Sequence, residues 1–84
     1  MVAKVKSTTF IDVLQVELSA PHGKNVRGIL KDDKGSVCRT LERNVANEKE
    51  NFTWTGLNDL PYGRYTLELF QDDNEVKLNL VKRV

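Results

Sequence analysis

Residues capable of nucleophilic or acid–base chemistry are few and widely spaced in this chain. His22 is the single histidine and Cys38 the single cysteine among 84 residues. His22 stands in a Pro-His-Gly loop, and no activated-serine motif such as Gly-x-Ser-x-Gly accompanies it. Cys38 lies between Val37 and Arg39 in a strand-like segment, where a structural, partly buried thiol is the default. The sequence therefore predicts no catalytic site, and we expect the protein not to be an enzyme.

Two pairs of carboxylates suggest the other chemistry open to this chain, which is calcium binding. Asp32-Asp33 and Asp72-Asp73 each fall in a predicted hairpin turn. Adjacent residues in such a turn point apart, and no Asp-x-Asp-x-Asn-Gly loop with a terminal glutamate is present. Aspartate is favoured in turns because its side chain hydrogen-bonds to the nearby backbone. Turn formation accounts for both pairs, so neither a metal nor any other cofactor is expected.

The amino-acid composition limits the kinds of molecule that this protein is expected to bind. Thirteen Lys and Arg nearly balance twelve Asp and Glu, which leaves a net charge of +1. That charge gives no field strong enough to hold nucleic acid or an anionic membrane. No apolar run approaches the roughly 18 residues of a membrane span, and the N-terminus lacks the apolar core of a signal peptide. We expect no nucleic-acid partner and no membrane insertion, and the single cysteine, which excludes an intrachain disulfide, favours a bacterial or intracellular origin.

The elements that must position these side chains are short strands. Period-two alternation dominates and no segment carries a helical stripe. Residues 42–50 are predicted to form a loop between sheets, with a single helical turn over residues 45–49 as an alternative. Residues 1–8 are interpreted either as native structure or as a flexible lead-in. The expected fold is all-β: one domain over residues 1–84, a small Ig-like antiparallel β-sandwich of six or seven strands.

Alternating apolar residues define the predicted core. Trp54, the single tryptophan, is expected to be its largest contributor. Arg64, Thr66 and Glu68 are expected to face water. The predicted inward side chains of the first strand and the last two strands are Phe10, Leu14, Val16, Leu18, Tyr65, Leu67, Leu69, Val76, Leu78 and Leu80.

Four segments, in order along the chain, carry a resemblance to a known family. They are an aromatic–aliphatic strand, a strand leading to an Asp-x-x-Gly turn, a Leu-Pro-x-Gly-x-Tyr turn and strand, and a basic–aliphatic final strand. In this sequence they are Phe10-Ile11-Asp12-Val13-Leu14-Gln15-Val16, residues 26–35, Leu60-Pro61-Tyr62-Gly63-Arg64-Tyr65 and residues 77–84. Together they resemble the C-terminal sorting domain of cargo proteins of the Bacteroidetes type IX secretion system, a small Ig-like β-sandwich.

The resemblance implies a non-catalytic secretion signal. Such a domain travels through the periplasm on an upstream cargo domain, is recognised by the outer-membrane secretion and sorting machinery, and ends secreted or at the cell surface. Recognition is expected at an exposed sheet edge or the terminal strand, where backbone groups are free to pair. The candidate recognition residues are Gly63, Tyr65, Lys77, Leu80, Val81, Lys82 and Arg83. The alternative is that Gly63 and Tyr65 only make the fold and that Lys82 and Arg83 form a solvated end.

Two other functions stay open at this point. Arg39-Thr40-Leu41, followed by Phe52-Thr53-Trp54-Thr55-Gly56, is similar to the hook-capping flagellar group, which favours a structural accessory module beside a larger domain. Such a module would expose an apolar patch, for instance Ile11, Val13 and Ile29. A carbohydrate-binding site would instead need a row of exposed aromatic side chains, whereas Trp54 and Tyr65 are assigned to the core.

Overall fold

A computed structural model describes residues 1–19, 25–45 and 48–83 of the chain. These residues contain no helix, so the predicted all-β fold is confirmed. The eight strands found in them are β1 (Val2–Val5), β2 (Thr9–Phe10), β3 (Leu14–Ser19), β4 (Asn25–Asp32), β5 (Val37–Asn44), β6 (Lys49–Trp54), β7 (Gly63–Gln71) and β8 (Asn74–Lys82).

The strands form two sheets that pack as a sandwich. One sheet has the order β1-β3-β6 and the other the order β2-β8-β7-β4-β5. All pairings are antiparallel except that of β2 with β8, which is parallel. Because β1 and β2 belong to different sheets, the chain crosses from one layer to the other between Val5 and Thr9. Residues 2–5 are therefore part of the sandwich and not a lead-in.

The core lies between the inner faces of the two sheets. Alternate residues of β3 and β7 point into it, as the period-two pattern predicts. The largest fully buried side chains are leucines, namely Leu14, Leu30, Leu57, Leu67, Leu69 and Leu80. Trp54, which was predicted to be the largest contributor to the core, is only partly buried and packs against this cluster. Trp54 is the last residue of β6, an outer strand of its sheet.

Two element boundaries differ from the sequence prediction. The predicted strand over residues 10–18 is two strands, because Phe10 in β2 pairs with β8 while β3 begins at Leu14 in the other sheet. Most of the predicted loop over residues 42–50 is strand, since β5 continues to Asn44 and β6 begins at Lys49. Residues 46 and 47 of the alternative helical turn lie outside the described residues.

Charged side chains explain why the loop prediction failed. Arg43 on β5 lies with its guanidinium carbon 5.0 Å from the Phe52 ring centroid and its Nε 3.0 Å from an oxygen of Glu50. These contacts join β5 to β6 across the two layers. A polar segment can therefore be strand when its charges have partners on the opposite sheet.

The turn at residues 32–35 forms as predicted and uses its aspartate. Asp32 donates its N–H to the Ser36 carbonyl, and Gly35 donates to the Asp32 carbonyl. Gly35 has φ +83°, a conformation that favours glycine. One carboxylate oxygen of Asp32 accepts the N–H groups of Lys34 and Ser36, each at 2.9 Å. This carboxylate thus stabilises its own turn.

Candidate partner-recognition edge

The last strand, β8, has one fully paired flank and one partly covered flank. Its pairing with β7 runs from Gly63↔Lys82 to Gln71↔Asn74. On the other side β2 pairs only as Thr9↔Val81 and Phe10↔Lys82. The outer flank is therefore covered near Val81. Over residues 75–79 no strand in the part of the chain that the structure describes is hydrogen-bonded to it, and β1 of the other sheet contacts β8 without pairing with it.

The backbone N–H and C=O groups of residues 75, 77 and 79 point away from β7, toward the outer flank of β8. Val81 and Arg83 donate their N–H groups to the carbonyls of Thr8 and Phe10, both at 2.8 Å, which shows that odd-numbered residues face away from β7. Backbone direction alternates along an antiparallel strand, so Glu75, Lys77 and Asn79 also direct their N–H and C=O groups outward. We call these outward groups of Glu75, Lys77 and Asn79 the β8 edge.

The side chains of residues 75–79 give this part of β8 an inner and an outer face that differ in character. Val76 and Leu78 are half-buried and pack against the core. Glu75, Lys77 and Asn79 are exposed on the outer face, with Lys77 Nζ 3.6 Å from Glu75 Oε1. Charged residues on an edge strand discourage unspecific pairing with other strands. A pairing partner must therefore match both an apolar inner row and a charged outer row.

A depression of about 580 Å³ lies next to this edge. It is open to solvent, and its lining combines a carboxylate, a guanidinium and several hydroxyl or amide groups. Its lining includes Thr8, Asp33, Arg64, Thr66, Asn79 and Val81.

Four of the seven predicted recognition residues have exposed positions. Lys77 lies on the β8 edge, and Val81, 39% exposed, and Arg83 follow where β2 covers the strand. Gly63 begins β7 with φ +140°, a backbone conformation that residues other than glycine rarely adopt. These four residues do not form one cluster, because Gly63 stands on the paired flank of β8.

The other three predicted residues are inside the sandwich. Tyr65 is 4%, Leu80 1% and Lys82 3% exposed. The Lys82 ammonium lies 5.6 Å from the centroid of the Tyr62 ring and donates to the Arg83 carbonyl at 3.2 Å. The expectation of a solvated end is therefore wrong for Lys82. The inward alternation of Val76, Leu78 and Leu80 simply continues to this lysine, and that signal was present in the sequence.

Glu68 was also placed wrongly by sequence reasoning. It is 8% exposed, and Lys31 Nζ on the neighbouring strand lies 3.1 Å from its carboxylate. The pairing of β4 with β7 brings these two residues together, with Lys31 opposite Thr66 and Ile29 opposite Glu68. Local alternation does not show which distant segments pair as neighbouring strands, so the ion pair between Lys31 and Glu68 could not be predicted.

An arginine–aspartate contact fixes the connection that precedes β7. Arg39 on β5 donates to both carboxylate oxygens of Asp59, at 2.6 and 2.7 Å. This hydrogen bonding from the Arg39 guanidinium lowers the pKa of Asp59 below its ordinary value. The contact ties residues 55–62 to the edge of the five-stranded sheet, and sequence reasoning missed it.

The outer strand on the other side of the same sheet, β5, differs from the β8 edge. A bulge between Leu30 and Lys31 interrupts its pairing with β4. Beyond the bulge, alternation directs the backbone of Thr40 and Glu42 outward. Arg39 and Arg43 lie on the inner face of β5, each with an acidic partner in the same chain.

The apolar residues proposed for an accessory-module patch lie on separate elements. Ile11 and Val13 are exposed in the connection between β2 and β3. Ile29 is half-buried in the middle of β4, with Thr40 and Glu68 as its neighbours on the adjoining strands.

Reactive groups are sparse in the described residues. The Cys38 thiol is half-buried, with Sγ 3.6 Å from the Ser36 carbonyl oxygen. No three His, Cys, Asp or Glu side chains among residues 1–19, 25–45 and 48–83 are grouped so that they could hold a metal ion. His22 lies outside those ranges. Among the same residues there is no helix of the length and apolarity needed to cross a membrane.

Comparison with known proteins adds no relative: the sequence matches no family model and no curated protein.

Proposed function

We propose that this domain is a non-catalytic sorting module of the type IX secretion kind, recognised through the β8 edge. In this proposal the domain directs an upstream cargo protein through the periplasm and across the outer membrane. The secretion machinery adds a strand to residues 75–79, and main-chain hydrogen bonds supply the affinity.

The observation that carries the proposal is that no strand among the described residues pairs with the outward backbone of Glu75, Lys77 and Asn79 on β8. The basic–aliphatic motif of the family resemblance covers the same strand. A partner strand placed there would meet half-buried Val76 and Leu78 on one face and charged side chains on the other. Main-chain pairing would give binding, and this alternation of side chains would give selectivity.

The buried members of the predicted set take a supporting role in this proposal. Leu80 and Lys82 anchor the far end of β8 in the sandwich, and Tyr65 anchors β7 beside it. Arg83 and Val81 are the accessible residues nearest the open segment on its β2 side. The accessible recognition set is thus Lys77, Val81 and Arg83 together with the β8 edge.

Export of a reporter tests the proposal. Residues 1–84 are fused to the C-terminus of a periplasmic reporter in a type IX-competent cell, and the reporter is assayed in periplasm and medium. Lys77→Pro removes an outward N–H of the β8 edge without breaking a bond to β7, because residue 77 faces away from that strand. Thr40→Pro makes the same change on the outward face of β5 and is the matched control.

We expect the unmodified fusion and Thr40→Pro to be exported and Lys77→Pro to be retained in the periplasm. Urea unfolding of the isolated variants checks that both are folded. Retention of the unmodified fusion would contradict the proposal, and so would equal export of the two proline variants. Point changes are used because a deletion of residues 77–84 would remove buried Leu80 and unfold the domain.

A further inference from the structure

We propose that the β8 edge also pairs with a second copy of this chain, antiparallel about a two-fold axis at Val76. Backbone direction, charge pattern and the length of the open segment carry this inference. It does not rest on the proposed function, because it concerns the purified protein alone.

Backbone direction restricts the registers in which two copies can meet. Only outward-facing residues can exchange hydrogen bonds across the new interface, so odd-numbered residues must lie opposite odd-numbered residues. Two-fold axes at residues 75, 76, 77, 78 and 79 satisfy that condition within the open segment.

Charge selects one of these registers. An axis at residue 75 places two glutamates opposite each other, and an axis at residue 77 places two lysines opposite each other. Like charges directly across a ladder are destabilising. An axis at Val76 instead places Glu75 opposite Lys77 of the second copy, and Lys77 opposite its Glu75. Both pairs lie on the exposed outer face of the sheet.

The two remaining registers are blocked by the fold. An axis at residue 78 brings Glu75 of the second copy against Val81, and an axis at residue 79 brings Lys77 against it. The N–H of Val81 is already bonded to the Thr8 carbonyl. With the axis at Val76 the paired segment is residues 74–78. It begins after the β7–β8 turn and ends before the part of β8 that β2 covers.

The inner face supports the same register. Val76 of one copy lies beside Val76 of the other, and the half-buried Leu78 faces Asn74. Part of the apolar surface that remains exposed at the margin of each core is thereby covered. Two five-stranded sheets would continue into one another through β8.

The other free edge of this sheet is a poorer self-partner. A two-fold axis at Leu41 on β5 pairs Thr40 with Glu42 on the outer face and Arg39 with Arg43 on the inner face. That arrangement sets like charges opposite each other on the inner face and places no pair of opposite charges across the ladder.

A short ladder of this kind makes a weak, concentration-dependent dimer, since its area falls well below the roughly 800 Å² per partner of a standard interface. The dimer uses the same backbone groups that another protein would need. Self-association and recognition of the β8 edge are therefore mutually exclusive, and dilution of the domain favours recognition.

Sedimentation velocity with charge-reversed variants tests the inference. Wild type, Lys77→Glu, Glu75→Lys, the double variant carrying both changes, and an equimolar mixture of the two single variants are run up to about 1 mM, the range in which such weak complexes form. All substituted side chains are exposed, and circular dichroism checks that each variant is folded.

We expect the weight-average sedimentation coefficient of wild type to rise with concentration and that of each single variant to stay at the monomer value. The double variant and the mixture should recover the rise, because each restores opposite charges at both pairs. A wild type that stays monomeric throughout, single variants that associate like wild type, or a mixture that stays monomeric would each overturn the inference. None of these outcomes depends on export in cells.

Discussion

Tyr65 contacts a distant strand and also the turn just before its own strand. Its ring packs edge-on against Phe10 of β2, with centroids 5.9 Å apart and planes at 65°. Its hydroxyl donates to the Pro61 carbonyl at 2.6 Å, which holds the turn before β7. The inward position of Tyr65 was predictable from alternation, whereas its contact with Phe10 depends on chain reversals that alternation does not encode.

Burial gives Tyr65 a titration that links stability to alkaline pH. Desolvation raises the pKa of its hydroxyl above the ordinary value, so the folded protein holds this proton more tightly than the unfolded chain does. The resulting stabilisation is complete below about pH 10, where the unfolded tyrosine is neutral, and is lost as pH rises through the folded pKa. We expect Tyr65→Phe to lose about 1 kcal/mol at neutral pH and to show a smaller further loss above pH 10 than wild type.

Urea unfolding at neutral and alkaline pH measures both effects. Tyr62→Phe, at an exposed tyrosine, is the control and should lose stability in alkali as wild type does. An alkaline loss in Tyr65→Phe equal to that of wild type would show that another group is responsible.

At the scale of single elements, β4 depends on a residue without a side chain. A Cβ atom on Gly28 would lie 3.3 Å from a methyl carbon of Leu69, 3.5 Å from one of Leu41 and 3.6 Å from the Trp54 ring. Gly28 thus lets the inner face of β4 accept side chains from both sheets. The strand itself was predicted from the sequence, but the reason for its glycine was not, because the three neighbours come from other strands.

Enlarging residue 28 should therefore destabilise the sandwich. We expect Gly28→Val to lower the free energy of unfolding by about 1–3 kcal/mol through overpacking, despite the higher strand propensity of valine. Gly28→Ala should cost much less, because the nearest atom is the end of a flexible leucine side chain. Trp54 fluorescence during urea unfolding reports both values. A valine variant as stable as wild type would show that the space beside Trp54 is larger than the structure indicates.

Element boundaries were predictable where they depend on local chemistry. The Asp32 turn was found because its aspartate and Gly35 act within a few residues. The continuation of β5 to Asn44 was missed because its charges find partners on β6. Local turn signals therefore fix where strands reverse, and contacts between layers fix how far they extend.

For the whole molecule, the sequence was sufficient to predict the all-β class and the two packed sheets. It was not sufficient to predict which parts of the outer strands are paired. Alternating apolar residues required two sheets around one core, which the structure confirms. The crossing of the chain between β1 and β2 decides which part of β8 is covered, and Ser7-Thr8-Thr9 carries no local signal for it. The candidate site was accordingly predicted as a strand, while its open segment at residues 75–79 had to be found in three dimensions.

Amide hydrogen exchange at single-residue resolution would decide whether that segment is open. The structure predicts that, in dilute protein, the N–H groups of Lys77 and Asn79 exchange rapidly. Those of Leu78 and Leu80 should exchange slowly because they bond to β7, and that of Val81 because it bonds to Thr8. Protection of Lys77 and Asn79 equal to that of Leu78 would mean that other backbone already covers the β8 edge, and both proposed pairings would then lose their surface.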